Sequence, residues 1–599
     1  MGPGSWPVSD SKAWRAILCA AALSLVLNAV GNTWGLPSRW HPDEKADSIA
    51  RMARGEGLGP DSFVNPSLPL YLQLPFVRIQ QEMADRGLLG GAGADPLLLT
   101  RALSALAGAG AVLLLGIVCV RTAPRVPPWP AFFLAAAPGV VNLCHFATPE
   151  AWLLLGTAAT LLVSGEHVQG RAPAWLLGLV LGLTTSTKYT GAALLAPVIA
   201  AALLRERPMP ERGDRLALLA AGLAALATGA ALSAAPGHAL AASLRLEDAR
   251  LLHLAAASAF VQGTGHAALA LGLTLVGVAA LASWSRTRAW AGRLARIEIV
   301  IVGLGALVGF LLGTPFAALE PGAFASDLAF NAQTRAEYKG LVGAGTSFVP
   351  YLVLLGDALT WPLLVAAALG LLAAPRVWRD RSGFVLLLGT LAPYLLVASS
   401  GHRAMRFVAP VLPGAAWLAA RGIESVIRPR RAETWAKGLV LGRAALGSVL
   451  VLRLFFVDSR IQAESWILSH VPAGSTLDLI ANHAGYAPRV PEGRSLRVVP
   501  TLSREMAPVE RFVEAAARYP SEASSWLVLT ASFYERFLEN PAQQPERARF
   551  FRDLLEGRGG FEVRARFRQQ GFWRPPVEFV DPEIVILEKD RTGLMDGPG

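Results

Sequence analysis

Long apolar runs separated by short polar segments fill the first three quarters of the chain. A helix that crosses a membrane needs about 20 mostly apolar residues. The pattern therefore predicts an all-α polytopic membrane protein with about thirteen transmembrane helices. These helices are predicted at residues 16–35, 97–120, 127–143, 148–163, 173–187, 189–204, 216–234, 266–283, 297–316, 349–374, 383–399, 404–420 and 438–456.

The pattern changes after residue 457. Residues 458–599 show short apolar strands and amphipathic helices, and 38 of these 142 residues are charged, against 61 of the 457 before them. This rise in the fraction of charged residues predicts a membrane domain over 1–457 followed by a small soluble α/β domain over 458–599. Strands are expected at 475–481, 525–530, 561–568 and 583–588, with helices at 460–470, 506–518, 532–539 and 546–557.

The loop 36–96 after the first predicted span is too long for a simple connection. Its segments 43–54 and 66–86 have helical character, and prolines restrict the second. We expect short helices that lie along the membrane surface.

Charge adds the orientation. The chain has 55 basic and 44 acidic residues, a net charge of +11, and 53% hydrophobic residues, which excludes a disordered, collagen-like or disulfide-rich secreted protein. One set of alternate loops holds 21 Lys and Arg, the other 13. The richer set is predicted to be cytoplasmic. This places the N-terminus inside and the C-terminal domain on the outer, periplasmic face of a bacterial-type inner (plasma) membrane.

Nucleic acid is not an expected partner, because the basic residues are divided among seven segments.

The most distinctive polar motif is His41–Pro42–Asp43–Glu44, just after the first span. Two adjacent carboxylates at a membrane surface suit proton transfer or cation binding. The alternative is a solvated helix start, where acidic residues favour the helix dipole.

Four further charged residues lie beside predicted spans. Glu150 begins the fourth span, and Lys188 stands alone in a cluster of hydroxyl side chains between the fifth and sixth. Arg403 and Arg406 begin the twelfth, and arginine suits a phosphate through its planar donors. Each also has a structural interpretation: a first-turn glutamate, or a cation that reaches from a helix end to the interface.

The orientation deduced from charge places Asp43, Glu44, Glu150, Lys188 and Arg406 on one face, the outer one. That deduction does not use what these residues do. A cleft with a carboxylate pair and two cations is suited to bind a phosphate-bearing lipid and to activate a hydroxyl.

Several motifs follow one another in a characteristic order: the Asp43–Glu44 pair and the segments 65–71 (NPSLPLY), 101–108 (RALSALAG), 148–151 (TPEA), 182–189 (GLTTSTKY) and 406–413 (RFVAPVLP). Through these motifs, most of residues 16–421 resembles the GT-C membrane glycosyltransferases, in particular the branch with protein O-mannosyltransferases and aminoarabinose transferases. The tail resembles the small outer domain of some bacterial members through 464–467 (ESWI) and 471–475 (VPAGS).

The resemblance implies a glycosyltransferase that moves a hexosyl or pentosyl group from a polyprenyl-phosphate donor to an acceptor hydroxyl, with inversion. In this hypothesis Asp43 is the general base, while Glu44 orients the acceptor or helps to hold a divalent cation, Mg²⁺ or Mn²⁺, if one is used. Lys188 and Arg406, with Arg403 second, neutralise the departing lipid phosphate.

Sugar or acceptor binding is assigned to the remaining candidates, which are Glu150, His41, Tyr71 and Tyr189. A protein, a lipid A-like glycolipid, a cell-wall polymer and a free lipid all remain open as the acceptor.

Two other classes of protein share some of these features. A polytopic transporter, or a flippase for lipid-linked sugars, also has many spans, but its charges are expected near the bilayer midplane and its halves show repeat symmetry. A non-catalytic scaffold would use residues 458–599 to bind a partner.

Overall fold

The computed structural model describes residues 11–122, 128–205, 212–234, 265–266, 268–270, 272–281, 296–342, 347–373, 380–400, 403–504, 507–568, 577 and 579–590. The chain is mainly helical and ends in a small five-stranded sheet, which confirms the predicted fold class.

The first half of the chain forms helices α1 to α10. They span α1 Ser11–Ala29, α2 Ala46–Ala53, α3 Leu68–Asp85, α4 Pro96–Thr122, α5 Trp129–Ala135, α6 Pro138–Cys144, α7 Pro149–Val168, α8 Ala174–Thr185, α9 Leu195–Leu204 and α10 Arg212–Ala234. Short 3₁₀ helices add Gly91–Ala94 and Tyr189–Leu194.

The second half contributes α11 to α22. They span α11 Ile297–Gly313, α12 Phe316–Leu319, α13 Pro321–Val342, α14 Phe348–Leu359, α15 Trp361–Leu372, α16 Arg381–Ala398, α17 Leu412–Val426, α18 Arg430–Phe456, α19 Ser459–His470, α20 Val509–Glu522, α21 Ala531–Glu539 and α22 Pro545–Leu555. The 3₁₀ helices here are Met405–Val411 and Ala484–Tyr486.

Five helical segments in the described ranges are long and apolar enough to cross a membrane: Ser11–Ala29, Pro96–Thr122, Pro149–Val168, Arg381–Ala398 and Arg430–His470. A sixth arises if α14 and α15 count as one span, although they meet at an angle of 118°. The predicted span at 349–374 therefore consists of two helices, because the chain turns at Thr360 with φ +85°. The predicted span at 127–143 is divided into α5 and α6, and the one at 404–420 begins as the 3₁₀ helix Met405–Val411 before α17. The count of about thirteen spans stays a prediction.

Small residues let α8 and α11 approach closely. A Cβ on Gly178 would lie 2.1 Å from the carbonyl oxygen of Val302, and one on Gly182 would lie 2.0 Å from that of Ala306. Membrane helices associate through such close backbone contact, since lipid gives them little hydrophobic drive. This packing positions the end of α8, where Lys188 follows.

The C-terminal unit is an α/β unit. Its sheet has the strands β1 Thr476–Ile480, β2 Ser495–Val498, β3 Trp526–Thr530, β4 Phe561–Phe567 and β5 Ile584–Lys589. The strand order is β2-β1-β3-β5-β4. The pairs of β1 with β2 and β3 are parallel, whereas β5 is antiparallel to β3 and β4. The expected strands and helices are present, and β2, which is only four residues long and mostly exposed, is additional.

A buried polar junction joins the C-terminal unit to the loop that follows α1. Arg460 and Asp458 form an ion pair with both side chains fully buried. Trp34 donates from Nε1 to Asp458 Oδ2 at 3.1 Å, and the guanidinium of Arg460 lies over the rings of Trp34 and Trp40. The C-terminal unit therefore packs on the same side of the helical part as Asp43.

Candidate functional site

The loop before Asp43 is shaped by glycine and tryptophan. Gly35 has φ +70°, a conformation that favours glycine, and a Cβ there would lie 3.1 Å from Trp40. Trp34 and Trp40 are buried with Phe146 and Phe455 in one aromatic cluster. This cluster fixes the path of the chain directly before the His41–Pro42–Asp43–Glu44 motif.

Glu44 is turned away from solvent and held by Arg101 of α4. Its Oε1 accepts from Arg101 Nε at 2.7 Å and from the backbone N of Ala147 at 2.9 Å, and its Oε2 accepts from Arg101 Nη2 at 2.8 Å. Arg101 also donates from Nη1 to the carbonyl oxygens of Asn32 and Trp34. Burial opposes ionisation of Glu44, but the charge and hydrogen bonds of Arg101 outweigh it and lower the pKa of Glu44.

Asp43 faces the other way and pairs with Arg406. Its Oδ2 accepts from Arg406 Nη1 at 2.9 Å, and about half of the Asp43 side chain is exposed. Burial opposes ionisation here too, but the positive charge of Arg406, followed by His41 and Lys188, lowers the pKa of Asp43 below its usual value. Asp43 is thus ionised at neutral pH and accessible to a ligand.

Glu150 and Lys188 form a second ion pair nearby. Lys188 donates from Nζ to Glu150 Oε1, and both side chains are almost fully buried. Glu150 opens α7, where Pro149 takes the first helical position, and Lys188 lies in the break between α8 and the 3₁₀ helix Tyr189–Leu194.

The ring of Phe407 joins the two ion pairs. Lys188 Nζ lies 5.1 Å from the ring centroid, and Arg406 Cζ lies 5.7 Å from it. Two cations and two carboxylates therefore meet around one aromatic ring. The chain brings these four charges together from the first loop and the ends of three later helices.

His41 is buried beside the pair formed by Asp43 and Arg406. Its Nδ1 accepts a hydrogen bond from the backbone N of Asp43 at 3.2 Å, and its ring lies 4.2 Å from Phe146 and 4.5 Å from Phe579. Burial lowers the pKa of His41 to about 4. The imidazole is neutral at physiological pH and shapes the backbone of Asp43.

The remaining candidates contact other parts of the protein. Tyr71 donates to the carbonyl oxygen of Leu58 at 3.1 Å, and Tyr189 donates to that of Phe63 at 2.8 Å. Arg403 donates from Nε to Ser347 Oγ at 3.1 Å. These residues support the loops around the site, whereas the structure brings together Asp43, Glu150, Lys188 and Arg406.

A cation held by both Asp43 and Glu44 does not fit this arrangement. Both oxygens of Glu44 already accept from Arg101, whereas the carboxylate of Asp43 is bound to Arg406. Among the described residues, no group of three His, Cys, Asp or Glu side chains is placed to hold a metal ion.

A cavity of about 610 Å³ lies between the C-terminal unit and the helices. Its wall carries charges of both signs, contributed by Arg403, Glu535, Glu539, Arg568 and Glu583. Met405 and Phe579 line the side towards the ion pairs. The cavity therefore adjoins the site on the face covered by the C-terminal unit.

Two residues of the site were not assigned a role from sequence. Arg101 is the partner of Glu44. It could have been recognised from the sequence, because an arginine inside a predicted span needs a partner in the membrane. Phe579 reaches Arg406 from the C-terminal unit with its ring centroid 5.4 Å from the guanidinium carbon. No sequence pattern distinguishes it from the other aromatic residues of that unit.

Comparison with known proteins finds similarity among solved structures alone: no protein-family model and no curated sequence matches the chain. One neighbour is the archaeal oligosaccharyltransferase AglB from Archaeoglobus fulgidus, in complex with an inhibitory peptide and a dolichol-phosphate. It is 13% identical with a TM-score of 0.47, over 91% of this chain and 72% of that one. An Archaeoglobus fulgidus oligosaccharyltransferase in complex with Zn and sulfate is 12% identical with a TM-score of 0.43, over 89% of this chain and 70% of that one.

A second neighbour is ArnT from Cupriavidus metallidurans bound to undecaprenyl phosphate. It is 14% identical with a TM-score of 0.43, over 98% of this chain and all of that one. Both neighbours are of the GT-C class that the sequence resembles. The functional proposal below depends on the residues of this chain.

Proposed function

We propose that the protein is a membrane glycosyltransferase that moves a sugar from a polyprenyl-phosphate donor to an acceptor hydroxyl. The observation that carries this proposal is the cluster of Asp43, Arg406, Glu150 and Lys188 around Phe407. The cluster combines an accessible carboxylate with two cations at the ends of membrane helices. Such a site suits a lipid whose chain stays in hydrocarbon while its phosphate reaches a polar cleft.

In the proposed reaction the donor phosphate takes Arg406 and Lys188 as partners. The acceptor oxygen attacks the anomeric carbon, the bond from that carbon to the phosphate oxygen breaks, and its electron pair remains on the phosphate. Asp43 takes the hydroxyl proton. The configuration at the anomeric carbon is inverted, because the displacement is a single step.

The two ion pairs of the site prepare this exchange. Arg406 is bound to Asp43, so transfer of Arg406 to the phosphate leaves Asp43 with a weaker positive neighbour. The pKa of Asp43 then rises towards a value better suited to accept a proton. The growing charge on the leaving phosphate is stabilised by the same cations.

Glu44 has a supporting part in this proposal. Its carboxylate anchors the loop to Arg101 and α4, so that Asp43 is held at a fixed position. Glu150 holds Lys188 in the same way. His41 and the backbone carbonyls bound by Tyr71 and Tyr189 shape the surrounding loops.

We further propose that residues 1–457 form the catalytic membrane domain and that 458–599 form an outer-face domain. The junction of Arg460 and Asp458 with Trp34 places the C-terminal unit on the side of Asp43. The charge bias of the loops assigns that side to the outer, periplasmic face.

The test uses purified protein with a panel of polyprenyl-phosphate sugars and follows release of the lipid phosphate. Wild-type protein is expected to release it from at least one donor. Asp43→Asn should abolish release, whereas Asp47→Asn, four residues further along the chain in the first turn of α2, should not. Near-normal turnover by Asp43→Asn would refute the assignment of the base. Failure of every donor, together with movement of donor lipid across vesicles, would favour the transporter or flippase.

A further inference from the structure

A ring from the C-terminal unit reaches the Asp43–Arg406 pair. The centroid of the Phe579 ring lies 5.4 Å from Arg406 Cζ and 4.5 Å from that of His41. The ring of Tyr486 stacks nearly parallel to it at 6.1 Å. Phe579 therefore forms part of the boundary of the site, although it belongs to the C-terminal unit.

The backbone of this segment is held in a conformation that side chains rarely adopt. Phe579 has φ +63° and Asp581 has φ +51°. Strained residues of this kind persist when their surroundings over-determine them, and they concentrate at functional sites.

The surroundings of Phe579 do over-determine its position. The carbonyl oxygen of Phe579 accepts from Arg460 Nη2 at 2.6 Å. The backbone N of Asp581 donates to Asp458 Oδ2 at 2.7 Å, and Asp581 Oδ1 accepts from the backbone N of Ser459 at 2.9 Å. The buried junction thus fixes the backbone that carries the ring.

We propose that Phe579 is a positioning residue for sugar transfer: its ring holds the Arg406 guanidinium in place beside Asp43 and excludes water from His41. The inference rests on the proposed function, and it assigns to the C-terminal unit a part in completing the site.

The physical basis is the contact of Arg406 with two aromatic rings. Phe407 and Phe579 both lie within 6 Å of its guanidinium carbon. An arginine that stacks on rings presents its N–H donors at the edge of the guanidinium plane, where an anion can accept from them. Arg406 can then pass from Asp43 to a phosphate with little reorganisation, which lowers the barrier of the reaction rather than strengthening ground-state binding.

Kinetics of four variants separate this role from simple packing. Phe579→Ala is expected to lower kcat about tenfold with donor KM changed by less than about twofold. Phe579→Leu keeps apolar bulk and should remain impaired, whereas Phe579→Tyr keeps the ring and should restore kcat. Phe567→Ala alters a phenylalanine of β4 that packs on Trp466, and it should retain wild-type kcat. Full activity of Phe579→Leu would overturn the proposal.

A second measurement does not depend on activity. The His41 imidazole is followed by NMR with labelled histidine and assigned with His41→Gln. Its pKa of about 4 in the wild type should rise by about one unit in Phe579→Ala, because removal of the ring lets water reach His41. The charges that act on His41, which are Glu44, Asp43, Arg406 and Glu150, are unchanged in that variant.

The two measurements also separate the two proposals. If no donor is turned over by the wild type, the proposed function fails, while the His41 titration still tests whether Phe579 covers the site. If donors are turned over but the variants match the wild type in kcat and in the His41 titration, the positioning role alone is refuted.

Discussion

The two adjacent carboxylates of the first loop are expected to respond to neutralisation in opposite ways. Glu44→Gln removes the buried counter-charge of Arg101, whose side chain is 1% exposed. Asp43→Asn removes a carboxylate that is 48% exposed and pairs with a partly exposed arginine. Glu44→Gln should make the protein easier to unfold, whereas Asp43→Asn should stop the reaction.

The magnitude for Glu44 follows from its contacts. The neutral amide leaves Arg101 charged in a buried position and weakens two hydrogen bonds between charged groups at 2.7 and 2.8 Å. Removal of one partner of a buried ion pair costs about 3–5 kcal/mol. We therefore expect Glu44→Gln to lower the free energy of unfolding by about 3 kcal/mol. Asp43→Asn should change it by less than about 1 kcal/mol, as is usual for exposed pairs.

The assay is denaturant unfolding of the detergent-solubilised protein, followed by tryptophan fluorescence, to which 16 tryptophans contribute, among them Trp34 beside Arg101. Lipid-phosphate release is measured on the same preparations. A matched control is Glu56→Gln, which changes an exposed glutamate of the neighbouring loop that pairs with Arg54. Equal unfolding midpoints for Glu44→Gln and the wild type would refute the structural role of Glu44.

Three further predictions concern other parts of the chain. Lys188→Met leaves Glu150 buried without its cation, so it should lower the free energy of unfolding by about 3 kcal/mol, and the double variant with Glu150→Gln should recover most of that loss in denaturant titrations. The pKa of His41 is lowered from 6.5 to about 4, so the folded state binds fewer protons. The contribution of the neutral imidazole to the free energy of unfolding, about 3 kcal/mol, should be complete above pH 6.5 and disappear as the pH falls towards 4. His41→Gln should reduce this pH dependence when unfolding is measured between pH 7 and 4. Gly182→Ala should separate α8 from α11 and lower the thermal unfolding midpoint, whereas Gly303→Ala on α11, which has open space, should not.

Local patterns in the sequence predicted much of the fold. Apolar runs of sufficient length must be helical in a membrane, because every backbone group there needs an internal partner. The short alternating segments after residue 457 predicted the strands and helices of the C-terminal unit, which the structure contains. Breaks within apolar runs were missed, since the turn between α14 and α15 brings no loss of hydrophobicity.

In the candidate site, too, the sequence indicated the residues and only the structure shows their contacts. Residue type and spacing alone indicated Asp43, Glu150, Lys188 and Arg406, because charges at the ends of apolar helices are costly and stand out from the pattern. Which carboxylate faces the cleft depends on a contact with Arg101, 57 residues away in the chain. That choice belongs to the tertiary structure, since neighbouring residues on a turn point in different directions.

Phe579 is the clearest case of information that only the folded chain contains. Its sequence neighbours carry no motif, and its ring meets Arg406 because a buried ion pair between Asp458 and Arg460 fixes the backbone around it. The sequence by itself determined the class of the protein, its apolar helices and most of its charged candidates. The tertiary structure decided which charges pair and which remain accessible, because pairing depends on the distances between side chains that lie far apart in the chain.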